Sequence, residues 1–85
     1  MAPFTDKLYN VTMYTIDNCE FCEKAKNLLH QKQNYIIHEV NLTKEPQLRR
    51  GVKEKLGTTA PQIVIEGTHV GGYQELKEYF EKWDP

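Results

Sequence analysis

Cys19-Glu20-Phe21-Cys22 is the stretch that decides the fold of this chain. Its two cysteines, the only ones in 85 residues, follow an apolar, strand-like run and precede a helix-like run. A strand that delivers a thiol to the start of a helix makes that thiol reactive, because the helix dipole and the free N–H groups favour the thiolate. The second thiol is then placed to close a disulfide. The sequence therefore predicts a pair that cycles between dithiol and disulfide.

Length and charge limit the class of protein. A chain of 85 residues makes one small domain, 1–85, in which residues 1–6 are expected to be a loose lead-in. The formal net charge of −1 argues against nucleic acid as a partner. No apolar run approaches the roughly 18 residues of a membrane span. With no secretory signal in view, we expect the cytoplasm (the host cytoplasm for a viral chain), where such a cysteine pair is catalytic or metal-binding.

Hydrophobic periodicity predicts seven elements in the order β-α-β-α-β-β-α. The predicted strands are 8–15, 35–42, 62–66 and 69–70, and the predicted helices are 20–33, 43–56 and 73–83. Thr43 is expected to cap the second helix, and Gly67-Thr68 to form the turn between the last two strands. The last helix carries an apolar stripe that should face the core, formed by Leu76, Tyr79, Phe80 and Trp83. These elements predict an α/β fold with a four-stranded mixed sheet flanked by three helices.

Three sequence features occur in a fixed order. Cys-x-x-Cys lies between a strand and a helix, Thr-Ala-Pro-Gln precedes the third strand, and Gly-Gly precedes the last helix. They fall in residues 14–22 (YTIDNCEFC), 58–63 (TTAPQI) and 69–73 (HVGGY). With them, nearly the whole chain resembles the glutaredoxins, small members of the thioredoxin-fold superfamily. The resemblance implies a thioredoxin-like fold and a glutathione-dependent thiol–disulfide oxidoreductase.

The two thiols are expected to have different roles. Cys19 is nearer the exposed helix start, so it should have the lower pKa and act as the nucleophile. Cys22 lies one turn into the helix and should be the resolving thiol. Phe21 stands where the family usually has an aromatic residue that shapes the site, although a plain core position is an equal alternative.

The resemblance also implies a glutathione site beside the cysteines. In the family, Pro61 is a cis proline that turns the Ala60 backbone toward an extended peptide, which binds like an added strand. The N–H groups that open the last helix would take the γ-glutamyl carboxylate, and Gln74 or Glu75 the α-ammonium group. Arg49 or Arg50 would reach the glycyl carboxylate. The expected glutathione-binding set is Phe21, Thr59, Ala60, Pro61, Gly72, Tyr73, Gln74, Arg49 and Arg50.

The residues alone leave simpler interpretations of these features open. Pro61 could be a trans proline that opens a strand, and Gly71-Gly72 a turn that merely needs glycine. Residues 44–55, in which basic side chains outnumber acidic ones, could be an ordinary solvated helix face. Two positions also depart from the family. Glu20 replaces a common proline, and Ile16 replaces a common lysine, so the rim of the site gains negative charge.

Partners and rival functions follow from the same resemblance. It implies glutathione as the reducing co-substrate, no tightly bound cofactor, no metal, and a monomer. The protein substrates would be disulfide-containing or glutathionylated proteins, with ribonucleotide reductase as a frequent client of the family. One alternative is a glutaredoxin-shaped protein that thioredoxin reductase reduces, although Gly71-Gly72-Tyr73 argues against it. Another is an iron–sulfur or zinc carrier, which would need a dimer or glutathione as co-ligand because two cysteines cannot fill four ligand positions.

Overall fold

The computed structural model describes residues 7–83, so the lead-in predicted at residues 1–6 lies outside the described chain. Its strands and α-helices follow one another in the predicted order. They are β1 (Tyr9–Thr15), α1 (Glu20–Lys32), β2 (Tyr35–Asn41), α2 (Arg49–Lys55), β3 (Gln62–Ile65), β4 (Thr68–Gly71) and α3 (Tyr73–Trp83). A short 3-10 turn, Pro46–Leu48, precedes α2.

The strands form one mixed sheet in the order β2-β1-β3-β4. Strands β1 and β2 are parallel, whereas β3 runs antiparallel to both β1 and β4. The parallel pair follows from the α1 crossover, and the antiparallel pair β3–β4 from a tight hairpin. The predicted thioredoxin-like fold is therefore confirmed. Its central strand, β1, ends directly before the two cysteines.

The hydrophobic core fills the space between one face of the sheet and helices α1 and α3. Its buried members are Val11, Met13, Ala25, Leu29, Tyr35, Ile63, Ile65, Leu76 and Phe80. Alternate residues of each strand point to opposite faces of the sheet. The other face presents residues such as Tyr14, Val40 and Val64 to α2, which itself has no buried residue.

The second helix is shorter than the sequence predicted. Thr43 does not cap it; its hydroxyl accepts a hydrogen bond from the Asp17 backbone N–H at 3.0 Å. The side-chain oxygen of Asn41 accepts the N–H of Thr43 at 2.9 Å, which closes a local turn after β2. Such side-chain bonds compete with a helical start, so α2 begins only at Arg49. The predicted helix over 43–56 is therefore wrong in its first half.

The β3–β4 turn lies one residue earlier than predicted. Its central residues are Glu66, with φ 49°, and Gly67, with φ 81°, and Ile65 pairs with Thr68 across it. Positive φ angles at both central residues are what a type I′ hairpin turn requires. Glu66 is held in this conformation because its carboxylate accepts the Asn10 backbone N–H at 2.6 Å. Thr68 therefore belongs to β4.

Trp83 does not join the core, and this part of the predicted stripe is wrong. Trp83 is 67% exposed, whereas Phe80 is 6% exposed and Leu76 is 0% exposed. The last turn of α3 faces an open cavity of about 530 Å³ between Trp83, Tyr79 and the start of β1, so no packed layer covers the indole there.

Candidate active site

Cys19 and Cys22 lie at the start of α1 and form a disulfide in this structure, with their Cα atoms 5.2 Å apart. Cys19 is the N-cap residue, in an extended conformation with φ −116° and ψ 104°. Its Sγ accepts a hydrogen bond from the Cys22 backbone N–H at 3.2 Å. Cys19 is half-buried, whereas Cys22 is only 2% exposed. An approaching disulfide therefore reaches Cys19 first.

The loop that delivers Cys19 is fixed by polar contacts to the end of β2. The Asn41 amide donates to the Asp17 carboxylate at 2.9 Å, and Thr43 accepts the Asp17 backbone N–H. Asn18 then takes a left-handed conformation with φ 55°, a geometry that asparagine tolerates better than most residues. These contacts set the position from which α1 starts.

The acidic rim predicted around Cys19 is partly compensated. The Glu20 carboxylate forms an ion pair with Lys24 Nζ at 3.2 Å, one turn along α1. Both side chains are exposed, so the pair contributes little to stability. It nevertheless places a positive charge beside the carboxylate of the residue that follows Cys19.

The segment before β3 forms a second wall beside Cys19. The Ala60–Pro61 peptide bond is cis, as the resemblance implied. The Ala60 carbonyl oxygen lies 3.8 Å from Cys19 Sγ. The adjoining groove has a volume of about 420 Å³, and its walls are Phe21, Lys24, Thr59, Ala60, Pro61, Gly72, Tyr73, Gln74, Glu75 and Lys77. It thus brings together seven of the nine residues expected to bind glutathione.

Phe21 lies on the groove and not in the core, since it is 54% exposed. Its ring centroid is 6.1 Å from that of Tyr73. Lys24 Nζ lies 5.3 Å from the Phe21 centroid, and Lys77 Nζ lies 4.9 Å from the Tyr73 centroid. The sequence did not predict that Lys24 and Lys77 line this groove. Each lies at a helix position typical of a surface residue, and only the fold brings the two together.

The Gly71-Gly72 turn is built around Glu75. Gly71 has φ 122°, and a Cβ there would lie 2.9 Å from Cγ of Glu75. The Glu75 carboxylate folds back and accepts the Gly72 backbone N–H at 2.8 Å. The Gln74 amide instead donates to Glu78 at 3.4 Å. Of the two residues considered for an ammonium group, Glu75 is therefore the one whose carboxylate lies over the turn.

The structure separates the two arginines of α2. Arg49 lines a small cavity of about 40 Å³ together with Thr59 and Ala60. The Arg50 side chain is 91% exposed and pairs with Glu54 at 3.1 Å. Only Arg49 is therefore placed beside the loop that borders Cys19.

A network of polar side chains lies between α1 and the sheet. The Thr15 hydroxyl donates to Glu39 at 2.6 Å, and Lys26 Nζ pairs with Glu39 at 3.0 Å. The hydrogen bond from Thr15 is the main reason why the pKa of Glu39 is lowered, with further contributions from Lys26. The hydrogen bond to Glu39 in turn raises the pKa of Lys26. Sequence analysis did not single out this network.

Two of the histidines make side-chain hydrogen bonds on the sheet. His38 contacts Asn10 at 3.1 Å and His69 contacts Gln62 at 2.8 Å, both on the sheet. Over residues 7–83, no group of three or more His, Cys, Asp or Glu side chains is placed to hold a metal ion. The helices in the same range are too short or too polar to cross a bilayer.

A Cys19–Cys22 disulfide whose first cysteine caps a helix directly after the central strand of this sheet defines the class of protein. It is a dithiol thiol–disulfide oxidoreductase with a thioredoxin-like fold.

Comparison with known proteins narrows the class to one family. The family model for glutaredoxin matches residues 11–70. Glutaredoxin 1 of Rickettsia prowazekii is 40% identical over 72 residues, which cover 81% of this chain and 75% of that protein. Hybrid peroxiredoxin hyPrx5 of Haemophilus influenzae is 34% identical over 80 residues, which cover 94% of this chain and 33% of that protein. The solution structure of glutaredoxin from Brucella melitensis has a TM-score of 0.73 at 31% identity, covering 89% of this chain and 83% of that chain. The chain belongs to the glutaredoxin family.

Proposed function

We propose that this protein uses glutathione to reduce protein disulfides and glutathione mixed disulfides. The observation that carries the proposal is the position of the Ala60 carbonyl oxygen, 3.8 Å from Cys19 Sγ, at the edge of a groove of about 420 Å³. A backbone group at this distance from the nucleophile suits an extended peptide whose own sulfur must reach Cys19. Glutathione is a small peptide with such a sulfur.

With a glutathionylated protein, one thiol is sufficient. The Cys19 thiolate attacks the glutathione sulfur, the S–S bond to the client breaks, and the client leaves as a thiolate that takes a proton. A Cys19–glutathione disulfide remains. Free glutathione attacks that disulfide as a thiolate, which restores Cys19 and releases oxidised glutathione. The net exchange consumes one free glutathione thiol and yields the reduced client and oxidised glutathione, whose other half is the glutathione that arrived on the client.

With a protein disulfide, the second thiol is needed. The Cys19 thiolate attacks one client sulfur and forms a mixed disulfide, and Cys22 then attacks Cys19 Sγ and releases the reduced client. The Cys19–Cys22 disulfide that results is the form seen in this structure. Two molecules of glutathione return it to the dithiol.

The groove offers a partner for each end of glutathione. The Ala60 N–H and C=O would pair with the cysteinyl residue, and the N–H groups of Tyr73 and Gln74 at the start of α3 would take the γ-glutamyl carboxylate. Glu75, folded over the glycine turn, is placed for the α-ammonium group. Arg49 is the proposed partner of the glycyl carboxylate. Thr59, Pro61, Gly72 and Phe21 complete the walls.

The proposed protein substrates are a class of disulfide-containing or glutathionylated proteins. The match to the relative named hybrid peroxiredoxin covers a third of that relative's length, and it supports a peroxiredoxin as one substrate. Ribonucleotide reductase is proposed on family resemblance alone. A monomer in the cytoplasm is proposed as well, since a reducing compartment keeps a Cys-x-x-Cys pair available for exchange.

A coupled assay with two alternative electron sources tests the proposal. A glutathionylated peptide is offered to the protein with NADPH and either glutathione plus glutathione reductase, or thioredoxin reductase alone. We expect NADPH oxidation with glutathione and none above background with thioredoxin reductase. The Cys19→Ser variant should give no turnover with either source. Turnover by thioredoxin reductase, with none by glutathione, would overturn the glutathione dependence and leave the oxidoreductase class intact.

A further inference from the structure

We propose that Gln62 and His69 are positioning residues, which hold the Thr59-Ala60 backbone in the orientation that substrate binding requires. The hydrogen bonds of these two side chains join them to each other and to Thr59, so they would act through the loop and not on the sulfur atoms. The inference rests on the proposed function only in that Ala60 is taken as the peptide-binding backbone.

Gln62 is a buried amide whose donors both serve one residue. It is 5% exposed. Its Nε2 donates to the Thr59 carbonyl oxygen at 2.9 Å and to the Thr59 hydroxyl oxygen at 3.1 Å. Because Nε2 has two hydrogens, these two bonds use its donor capacity fully. The side chain therefore holds the backbone and the side chain of Thr59 at once.

His69 fixes the other end of the same amide. Its Nε2 lies 2.8 Å from Oε1 of Gln62. That oxygen is an acceptor only, so the hydrogen of this bond lies on His69 Nε2. The β3–β4 register pairs Val64 with His69, and this places Gln62 and His69 as diagonal neighbours on one face of the hairpin. A chain of hydrogen bonds thus runs from β4 through β3 to Thr59.

The loop before β3 depends on these hydrogen bonds because the loop has little other backbone support. Within the described residues, Thr58, Thr59 and Ala60 make no backbone–backbone hydrogen bond. The loop also passes close to the amide, since a Cβ on Gly57 would lie 3.0 Å from Gln62 Nε2. With the Thr59 carbonyl bonded inward to Gln62, the next carbonyl, that of Ala60, lies beside Cys19 Sγ.

Loss of these hydrogen bonds should weaken substrate binding without altering the reactivity of the Cys19 thiol. We expect Gln62→Leu and His69→Leu to raise the KM for a glutathionylated peptide by about three- to tenfold, the factor that corresponds to one net hydrogen bond. The kcat and the rate of Cys19 alkylation by iodoacetamide should stay within about twofold of the parent. A purely structural role would lower the melting temperature but would not change KM in a variant that is folded at the assay temperature.

The chain offers matched controls. His69→Gln keeps an amide N–H that can donate to Gln62, so its KM should return to within about twofold of the parent. His38→Leu removes an exposed histidine from the same sheet, bonded to Asn10 and remote from the loop, and should leave KM unchanged. Since Gln62 is buried, the exposed His69 keeps the test open if Gln62→Leu fails to fold.

Backbone NMR order parameters of Thr58, Thr59 and Ala60 provide a readout that needs no glutathione. We expect these values to fall to those of a flexible segment, below about 0.6, in His69→Leu, with no such change in His38→Leu. Unchanged order parameters together with an unchanged KM in folded His69→Leu would overturn the inference. A parent without glutathione activity would instead overturn the proposed function, and the order parameters alone would then decide the inference.

Discussion

The environment of Cys19 Sγ determines what this protein can do. The sulfur accepts the Cys22 backbone N–H at 3.2 Å and caps a helix of 13 residues. Both features stabilise negative charge on sulfur once the disulfide is reduced. Glu20 opposes this effect, but its ion pair with Lys24 and its exposure to water weaken the opposition. The helix start and Glu20 therefore act on this thiol in opposite directions.

Arg49 and Arg50 provide a matched pair for the glycyl carboxylate. Arg49→Ala should raise the KM for glutathione by a few-fold, since an exposed charge–charge contact is worth about 0.2–1 kcal/mol. Arg50→Ala should leave KM unchanged, because Arg50 is 91% exposed and pairs with Glu54. Steady-state kinetics with varied glutathione checks both variants. Equal kinetics in the two variants and the parent would show that residues 44–55 form an ordinary solvated surface with no part in glutathione binding.

Residue positions were predictable where the backbone alone decides them. The spacing of Cys19 and Cys22 and the order of the three sequence features were sufficient to place the thiols and the proline loop. The choice between Arg49 and Arg50 was not predictable, because neighbouring helix residues point in different directions that depend on where the helix begins. The contact of Gln62 with His69 was missed because it depends on the β3–β4 register, which the sequence placed one residue away.

At the scale of elements, the Glu39 network joins α1 to two strands and makes stability depend on pH. The pKa of Glu39 lies below its ordinary 4.5, mainly because Thr15 donates to it. Its contribution to stability is therefore present above pH 4.5 and is lost as pH falls through the lowered value. The raised pKa of Lys26 acts in the opposite range, since its contribution is present below 10.5 and lost as pH rises beyond that.

Glu39→Gln tests this network. We expect the variant to lose about 1 kcal/mol of unfolding free energy at pH 7, a figure already reduced for a partly exposed carboxylate. The difference from the parent should shrink as pH falls below 4.5. Urea unfolding at several pH values measures it. Glu54→Gln, which removes the exposed partner of Arg50, is the control and should show little change. A constant difference at all pH values would rule out ionisation of Glu39 as the cause.

Helix α3 contains a buried and an exposed aromatic residue one turn apart. Phe80→Ala should lower the unfolding free energy by about 3–5 kcal/mol, because it leaves a cavity in the core. Trp83→Ala should cost far less, since Trp83 is 67% exposed. Chemical unfolding measures the unfolding free energy of both variants. Circular dichroism is the probe, because Trp83→Ala removes the only tryptophan and with it the fluorescence signal. Similar losses in the two variants would show that Trp83 is packed in solution.

Helix α2 marks the limit of sequence patterns at this scale. Thr43 and Pro46 have the composition of a helix start, yet Asn41 takes the Thr43 N–H for a turn of its own. The competition is between two local hydrogen bonds of similar strength, which composition cannot rank. The apolar spacing of α3 predicted the burial of Leu76 and Phe80 but could not show where the opposing layer ends.

The two faces of the sheet are packed to different extents. Helices α1 and α3 enclose the core, whereas α2 buries no residue and leaves an open cavity of about 400 Å³ against the sheet. The order of elements was predictable because a crossover and a hairpin allow few topologies. The unequal packing was not, since it depends on how closely α2 approaches Tyr14, Val40 and Val64.

This asymmetry predicts a difference in local stability. Amides of α2, residues 49–55, should exchange with deuterium faster than those in the middle of α1 or α3, because few apolar contacts oppose local opening. Hydrogen exchange followed by mass spectrometry or NMR measures the rates. Protection of α2 equal to that of α1 would show that its contacts with the sheet are stronger than the structure indicates.

Turnover by the two single-cysteine variants tests the central claim most directly. With a glutathionylated peptide and free glutathione, we expect Cys22→Ser to remain active, because that route needs only Cys19. The same variant should lose much of its activity on a protein disulfide, which requires Cys22 to resolve the intermediate. Cys19→Ser should be inactive on both substrates. A Cys22→Ser variant as inactive as Cys19→Ser on the glutathionylated peptide would contradict the assignment of Cys19 as the nucleophile.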